Sequence, residues 1–309
     1  MTARLPRAAG RVLQEGTLCY LAVATRHGPH LTPVVYALDG GRIWLTTSRT
    51  SVKARALRRD RGVAGLVRTG DLAVAFRGRA RTYDALDPLS WSHAVVAGPR
   101  LMRAATRFSL RNARFFAGYA VDARRVTLAW TPPGRVFVGV EVTSGALLDP
   151  VAGKVVSLWG QWGANPPRIR YKRKYSALPA RRGLDLRVPR SVRSAVGAAG
   201  EGALAMGEGD SIVLPVRWRR IAREGSYEAT LARAFLEVAG DSGSEGLGEK
   251  GCVALAVDRL SSWRAADMAG MLLQGPGDAF TLPDGLALMR IRPRRVVWWE
   301  GWSSGSVNL

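Results

Sequence analysis

Four hydroxyls fall within five residues at Thr47, Ser48, Thr50 and Ser51, with Arg49 among them and Lys53 two places beyond. Hydroxyl donors, backbone N–H groups and a cation at the start of a helix make a place for a phosphate. The same residues would also serve as an ordinary helix start, with Ser51 as the N-cap and Lys53 and Arg55 on a solvated face. No nucleophile with a base at a helpful spacing accompanies the cluster. The three histidines, His27, His30 and His93, lack metal-ligand spacing. A phosphate site, and no metal, is the chemistry these residue types suggest.

The elements around the cluster read as strands, turns and a few helices. Ile43 to Thr46 alternates as a strand, and a basic helix is expected from about Val52 to Asp60. Upstream, Leu5-Pro6-Arg7 opens a short helix, and Leu18 to Thr25 and His30 to Leu38 form strands. Asp39-Gly40 then marks a hairpin into Arg42 to Thr47. Val63 to Arg68 and Leu72 to Tyr83 make another strand pair. Asp87 to Val121 is mainly helical, broken into two at Pro99, with an apolar side of Phe108, Leu110, Phe115, Phe116 and Tyr119. Val126 to Trp130 and Arg135 to Val142 complete the block. Strands joined by hairpins with helices at a few corners predict a small barrel.

The second half echoes the first. Val188-Pro189-Arg190 and Glu201-Gly202-Ala203-Leu204 repeat Leu5-Pro6-Arg7 and Glu15-Gly16-Thr17-Leu18. Ile212 to Arg217 matches Leu31 to Tyr36, Gly251 to Val257 matches Gly62 to Val67, and Pro293 to Val296 echoes Pro133 to Val136. The shared order predicts a diverged duplication. We therefore expect a mostly β protein with some α: two split β-barrels in one chain, forming a pseudo-dimer. The expected bounds are 1–145 for the first barrel, 146–187 for a basic connector and 188–309 for the second barrel. A helix starting at Thr230, with one hydroxyl and no lysine, would make the second phosphate site the weaker one.

Helix, two strands, hairpin and then Thr47-Ser48-Arg49-Thr50-Ser51-Val52-Lys53 leading into a helix resembles the pyridoxamine 5′-phosphate oxidase-like, FMN-binding split-barrel superfamily. The resemblance implies that Ser51 and Lys53 hold the flavin phosphate, with Arg49 beside them and Thr47 and Ser48 on the ribityl chain or phosphate. It places Pro33, Val34 and Tyr36 along one side of the ring, and Trp298 or Trp299 of the second half on the other. It also implies a flavin-dependent oxidoreductase with a small-molecule substrate, in which the catalytic residues stay unassigned. Val52 stands where true pyridoxamine phosphate oxidases carry Arg, and RRVVWWEGW lacks their Arg-x-His pair, which argues against that substrate. A deazaflavin coenzyme is the close alternative, its oligoglutamate tail suiting the excess of arginine. A flavin carrier without turnover, a haem protein using His93, and a basic nucleic-acid-binding protein are the others.

Net charge is +22, from 46 basic and 24 acidic residues. Lysine accounts for only five, so the skew to arginine fits a coding bias as well as a polyanionic partner. Ten basic residues between Arg168 and Arg193 face only Asp185. A charged surface crossing is the reading adopted there, against nucleic acid. No apolar run approaches the ~18–20 residues needed to span a bilayer, so no membrane partner is expected. The N-terminus lacks a signal-peptide core, and Cys19 and Cys252 sit in apolar runs as free thiols, which together suggest the cytoplasm. With both barrels in one chain, a monomeric pseudo-dimer is expected.

Overall fold

A computed structural model describes residues 5–84, 86–121, 134–160, 188–197, 199–206, 212–221, 226–232, 252–259, 268–281, 286–301 and 303–309. Helix α1 (Arg7–Glu15) starts after Pro6 and buries Ala9, Val12 and Leu13, the i, i+3, i+4 stripe of an amphipathic helix. Strands β1 (Leu18–Thr25), β2 (Gly28–Asp39) and β3 (Arg42–Ser48) follow as antiparallel neighbours. Gly40 and Gly41 have φ of 57° and 74°, the left-handed pair that a two-residue hairpin turn requires. Helix α2 (Val52–Arg59) leads to β4 (Gly62–Thr69) and β5 (Leu72–Tyr83). After α3 (Pro88–Arg111) and α4 (Ala113–Val121), β6 (Arg135–Asp149) pairs with both β5 and β3. That second pairing closes a six-stranded barrel, and β7 (Lys154–Gly160) extends it from β6.

The second half repeats this order of strands, with one of them split in two. Helix α5 (Arg190–Val196) precedes β8 (Ala199–Met206), β9 (Ile212–Ile221) and β10 (Ser226–Ala232). Next come β11 (Cys252–Arg259), β12 (Ala269–Thr281), β13 (Leu286–Ile291), β14 (Arg295–Glu300) and β15 (Ser303–Asn308). The sheet order β11-β8-β9-β10-β13-β12 closes through a β11–β12 pairing. Strands β13 and β14 together take the part of β6, with β15 in the place of β7. The break between them, at Arg292–Arg294, falls where β5 and β6 of the first barrel shift register beside Gly78. This is the duplication predicted from sequence.

Several expectations change in detail. Pro293–Val296 lies at that mid-strand break, so its echo of Pro133–Val136 is not a structural equivalence. Thr230 sits inside β10, paired with Arg217 and Leu288, and starts no helix. The stretch expected to begin a connector at residue 146 instead continues β6 and adds β7, because Ala146, Leu147 and Leu148 are buried. Pro99 does not break α3. The helix is interrupted at Asn112 instead, whose Nδ2 donates to Phe108 O at 2.8 Å beside the retained backbone bond from its own N–H at 3.1 Å. Leu110, expected on the apolar side, is 73% exposed. Val126–Trp130, and most of the basic run from Arg168 to Arg193, lie outside the described residues.

The two barrels bury one common face. Strand β2 packs against β11 and β12, while β9 packs reciprocally against β4 and β5, as in a dimer with a two-fold axis. Leu31, Leu66, Ala75 and Leu148 of the first barrel join Leu204, Leu214, Val216 and Leu272 of the second in a single core cluster. A separate cluster, including Leu21, Tyr36, Leu45 and Phe76, fills the first barrel. Helix α3 caps the outside, its Ala104 packed with Trp44 and Tyr83. No helix among the described residues is long and apolar enough to cross a membrane.

Bulky rings repeatedly cover glycines directly across the strand pair. Phe76 lies over Gly65, Trp44 over Gly139, Trp159 over Gly145, Trp218 over Gly200 and Trp298 over Gly305, so closely that a Cβ would meet the ring. A ring covering a glycine restores the packing that the missing side chain forfeits. Between β6 and β7 the tryptophan is on the outer strand. Between β14 and β15 it is on the inner one. The two pairs sit two residues apart along the equivalent strands, since Val296 and Val307 occupy the places of Gly145 and Trp159.

Candidate functional site

The hydroxyl cluster occupies the turn from β3 into α2. Ser51, in extended conformation, caps the helix by accepting a hydrogen bond from Ala54 N at 3.1 Å. Its hydroxyl also lies 2.9 Å from Thr47 Oγ1, and Ser48 Oγ lies 3.1 Å from Thr50 Oγ1. Arg49 donates its backbone N–H to Gly134 O, and its guanidinium pairs with Asp84. Arg135, at the start of β6, donates to Thr46 Oγ1 from Nε at 3.0 Å and from Nη2 at 2.7 Å. The turn is thus held from both sides. On its outer side an open cleft of about 490 Å³ is lined by Arg49, Thr50, Arg55, Arg58, Asp84 and Asp87.

Lys53 does not lie on a solvated face. It turns inward from the first turn of α2, and its Nζ donates to Thr32 Oγ1 of β2 at 2.7 Å. Burial, then the charge of Arg135, lowers its pKa to about 8, against a smaller opposing effect of Cys19. The Cys19 thiol is itself pushed up to about 12 by burial. His30, two residues before Thr32, is buried. Its pKa falls to about 3, from burial first and then from Lys53 and Arg295, so the imidazole is neutral at pH 7.

The second barrel reaches this point. Arg295 of β14 contributes the charge felt by His30. Its cross-strand neighbour Gln274 donates from Nε2 to Pro29 O at 2.8 Å. Gln274 is only 2% exposed, and its Oε1 has no hydrogen-bond partner. Lys53 and Thr32 are thus joined on the side of β2 that Val34 and Tyr36 share, while His30, on that same side, feels Arg295 of the second barrel and its neighbour Pro29 accepts from Gln274. Sequence reading missed His30, Thr32, Gln274 and Arg295. Two polar residues at strand spacing in an otherwise apolar β2 were the available signal for the first two. Gln274 and Arg295 arrive by packing and carry no local signal.

The residues expected beside a flavin ring divide. Val34 and Tyr36 point into the first barrel, and Tyr36 donates its hydroxyl to Leu13 O at 2.6 Å with its pKa raised by burial. They cannot line a ring on the outside of β2, because their side of the pleat is the barrel interior. Pro33 is on the opposite, partly buried face of that strand, which it shares with Leu31 of the common core. Trp298 packs over Gly305 and against the common core, as does Trp299 against that core. His93 lies on α3, and its side chain is outside the described residues.

The family model described as pyridoxamine 5′-phosphate oxidase matches residues 6–101, which span α1 through β5 and the whole hydroxyl turn. No curated protein matches the chain. Among solved structures, a conserved hypothetical protein from Mycobacterium tuberculosis is 25% identical, with a TM-score of 0.34, over 48% of this chain and 87% of its own. An FAD-binding protein from Mesorhizobium loti is 18% identical, with a TM-score of 0.32, over 48% and 97%. A protein titled F420 reductase is 18% identical, with a TM-score of 0.31, over 47% and 98%. Closed barrel, hydroxyl turn and family match together make residues 6–101 part of a pyridoxamine 5′-phosphate oxidase-like split-barrel domain.

Proposed function

We propose that the protein is an oxidoreductase that holds FMN, or a deazaflavin coenzyme, at the barrel junction with the cofactor phosphate at the start of α2. One observation carries this reading: Lys53, two residues after the Ser51 hydroxyl that pairs with Thr47, has a depressed pKa and, among the described residues, no carboxylate partner. The donor set fits a phosphomonoester, since an anion would restore the charge that burial disfavours on Lys53. Bound flavin supplies hydride transfer, and the protein supplies grip, orientation and electrostatics.

Ser51 and Thr47 exchange their mutual hydrogen bond for phosphate oxygens, and Lys53 neutralises the charge. Arg135 keeps the turn in shape through Thr46. Pro33 offers the first barrel's side of the ring site, and Trp298 the second barrel's. His30 stays neutral at pH 7 and adds no charge beside the two cations. A single chain supplies both barrels, so the working unit is a monomer with a small-molecule substrate.

Titration of the purified chain with FMN, riboflavin and a deazaflavin coenzyme, followed by flavin fluorescence, tests this. FMN should bind roughly tenfold to a hundredfold more tightly than riboflavin, the range expected for one charge-assisted phosphate contact. Equal affinity for FMN and riboflavin would remove the phosphate grip from the argument. Preference for the deazaflavin would select the alternative coenzyme.

A further inference from the structure

Helix α3 presents an apolar ridge to solvent. Val95, Pro99, Met102, Thr106 and Leu110 recur at three- and four-residue spacing, so they share one side of the helix. All are exposed, Val95 by 78%, Met102 by 68% and Leu110 by 73%, and Val96 beside them by 87%. The opposite side is the one that packs, with Ala104, Phe108 and Asn112 buried on the first barrel. Arg103 Nε and Arg107 Nη1 reach the buried Asp39 carboxylate at 3.0 and 3.3 Å, and Asn112 Nδ2 donates to Tyr36 O at 3.3 Å. These contacts fix the roll of the helix and keep the ridge outward.

Charge decides what would cover it. From residue 88 to residue 121 the sequence carries Arg100, Arg103, Arg107, Arg111 and Arg114 and no acidic residue. Arg103 and Arg107 remain 63% and 48% exposed after pairing with Asp39. At 100° per residue Arg100, Arg103 and Arg107 fall along one flank of the ridge. A second copy docked through the same ridge would set Arg100, Arg103 and Arg107 against their equivalents, with the buried Asp39 carboxylate beneath them already taken by Arg103 and Arg107. A nucleic acid would meet the arginines but leave Val95, Met102 and Leu110 with no apolar surface to bury against. An interface of lipid headgroups and acyl chains satisfies both, taking the apolar side chains below the phosphates and the guanidinium groups among them.

We infer that α3 docks the protein on an anionic phospholipid surface, lying along it without crossing it. This revises the expectation that no membrane is involved, which rested on the absence of a spanning segment. It is independent of the cofactor site, since none of these residues belongs to it.

The test is co-sedimentation of the full chain with vesicles of phosphatidylcholine alone and of phosphatidylcholine with phosphatidylglycerol, at 0.1 and 0.5 M salt. Binding should need the anionic lipid, weaken at the higher salt as Debye screening shortens to about 4 Å, and fall at least tenfold in Met102→Glu/Leu110→Glu. Both positions are solvent-exposed, and an unchanged melting temperature checks that the variant is folded. The variant keeps every basic residue, including the run from Arg168 to Arg193. Undiminished binding by it would assign membrane attraction to charge elsewhere and overturn the proposal. Failure of the wild type to bind anionic vesicles would overturn it too, as would a dimer in light scattering that the variant abolishes.

Discussion

Lys53 Nζ donates a 2.7 Å hydrogen bond to Thr32 Oγ1, which ties the first turn of α2 to the strand that faces the second barrel. This contact turns a basic residue on a short helix towards the side of β2 that lines the first barrel. Lys53→Ala should weaken FMN by tenfold to a hundredfold, about 1.5–3 kcal/mol at a charged hydrogen bond. In the wild type, affinity should also decline as pH rises through about 8, where free Lys53 loses its proton. Fluorescence titrations from pH 6.5 to 9.5 would measure both. A variant with the wild-type pH dependence would take Lys53 out of the site.

His30 makes the fold sensitive to acid. Its pKa is near 3 in the folded chain and 6.5 when exposed. Between those values the unfolded chain holds a proton that the fold does not, so stability should fall as pH drops through that window. Lys53 acts at the other end by the same rule. Its pKa is about 8 folded and 10.5 free, so stability should rise with pH between them. Urea midpoints at pH 7 and 4.5 should show a smaller difference in His30→Asn than in the wild type, with the slope unchanged.

The common core gives a test of the pseudo-dimer. Leu66 is fully buried on the face of β4 turned to the second barrel, and Leu21 is fully buried inside the first. If the barrels fold as one unit, Leu66→Ala should cost about as much as Leu21→Ala, roughly 2–5 kcal/mol each. A negligible loss for Leu66→Ala would mean that the barrels do not bury this face against each other. Light scattering should find a particle near the chain mass of 33.4 kDa.

Ring-over-glycine pairs should resist substitution on the glycine side. A Cβ at Gly65 would overlap the Phe76 ring. Gly65→Ala should therefore destabilise by about 1–3 kcal/mol, the usual cost of overpacking. Gly70, which has open space around it, is no control because its φ is 56°. Gly98, with open space and no such φ, is the better comparison, and Gly98→Ala should be tolerated in chemical denaturation.

Local chemistry made much of this chain readable in sequence. Strand alternation and the Asp39-Gly40 turn located β1 to β5 within a residue or two, because hairpin geometry and burial on one face are local properties. The repeat was readable because order along the chain survives divergence. The hydroxyl turn was readable because capping and phosphate binding draw on the same short run of residues, from Thr47 to Lys53.

Tertiary structure decided the rest. Alternation along β2 cannot say which side is the barrel interior, and Tyr36, which the resemblance put at the ring, is found in the core. The break falls at Asn112, whose side chain reaches Phe108 O and, from β2, Tyr36 O, whereas Pro99 at a solvated position leaves the helix intact. The reach of Arg295 and Gln274 to His30 and Pro29 follows from packing two barrels on one face. That packing joins Pro29 to Gln274, 245 residues apart, and no periodicity within either half encodes it.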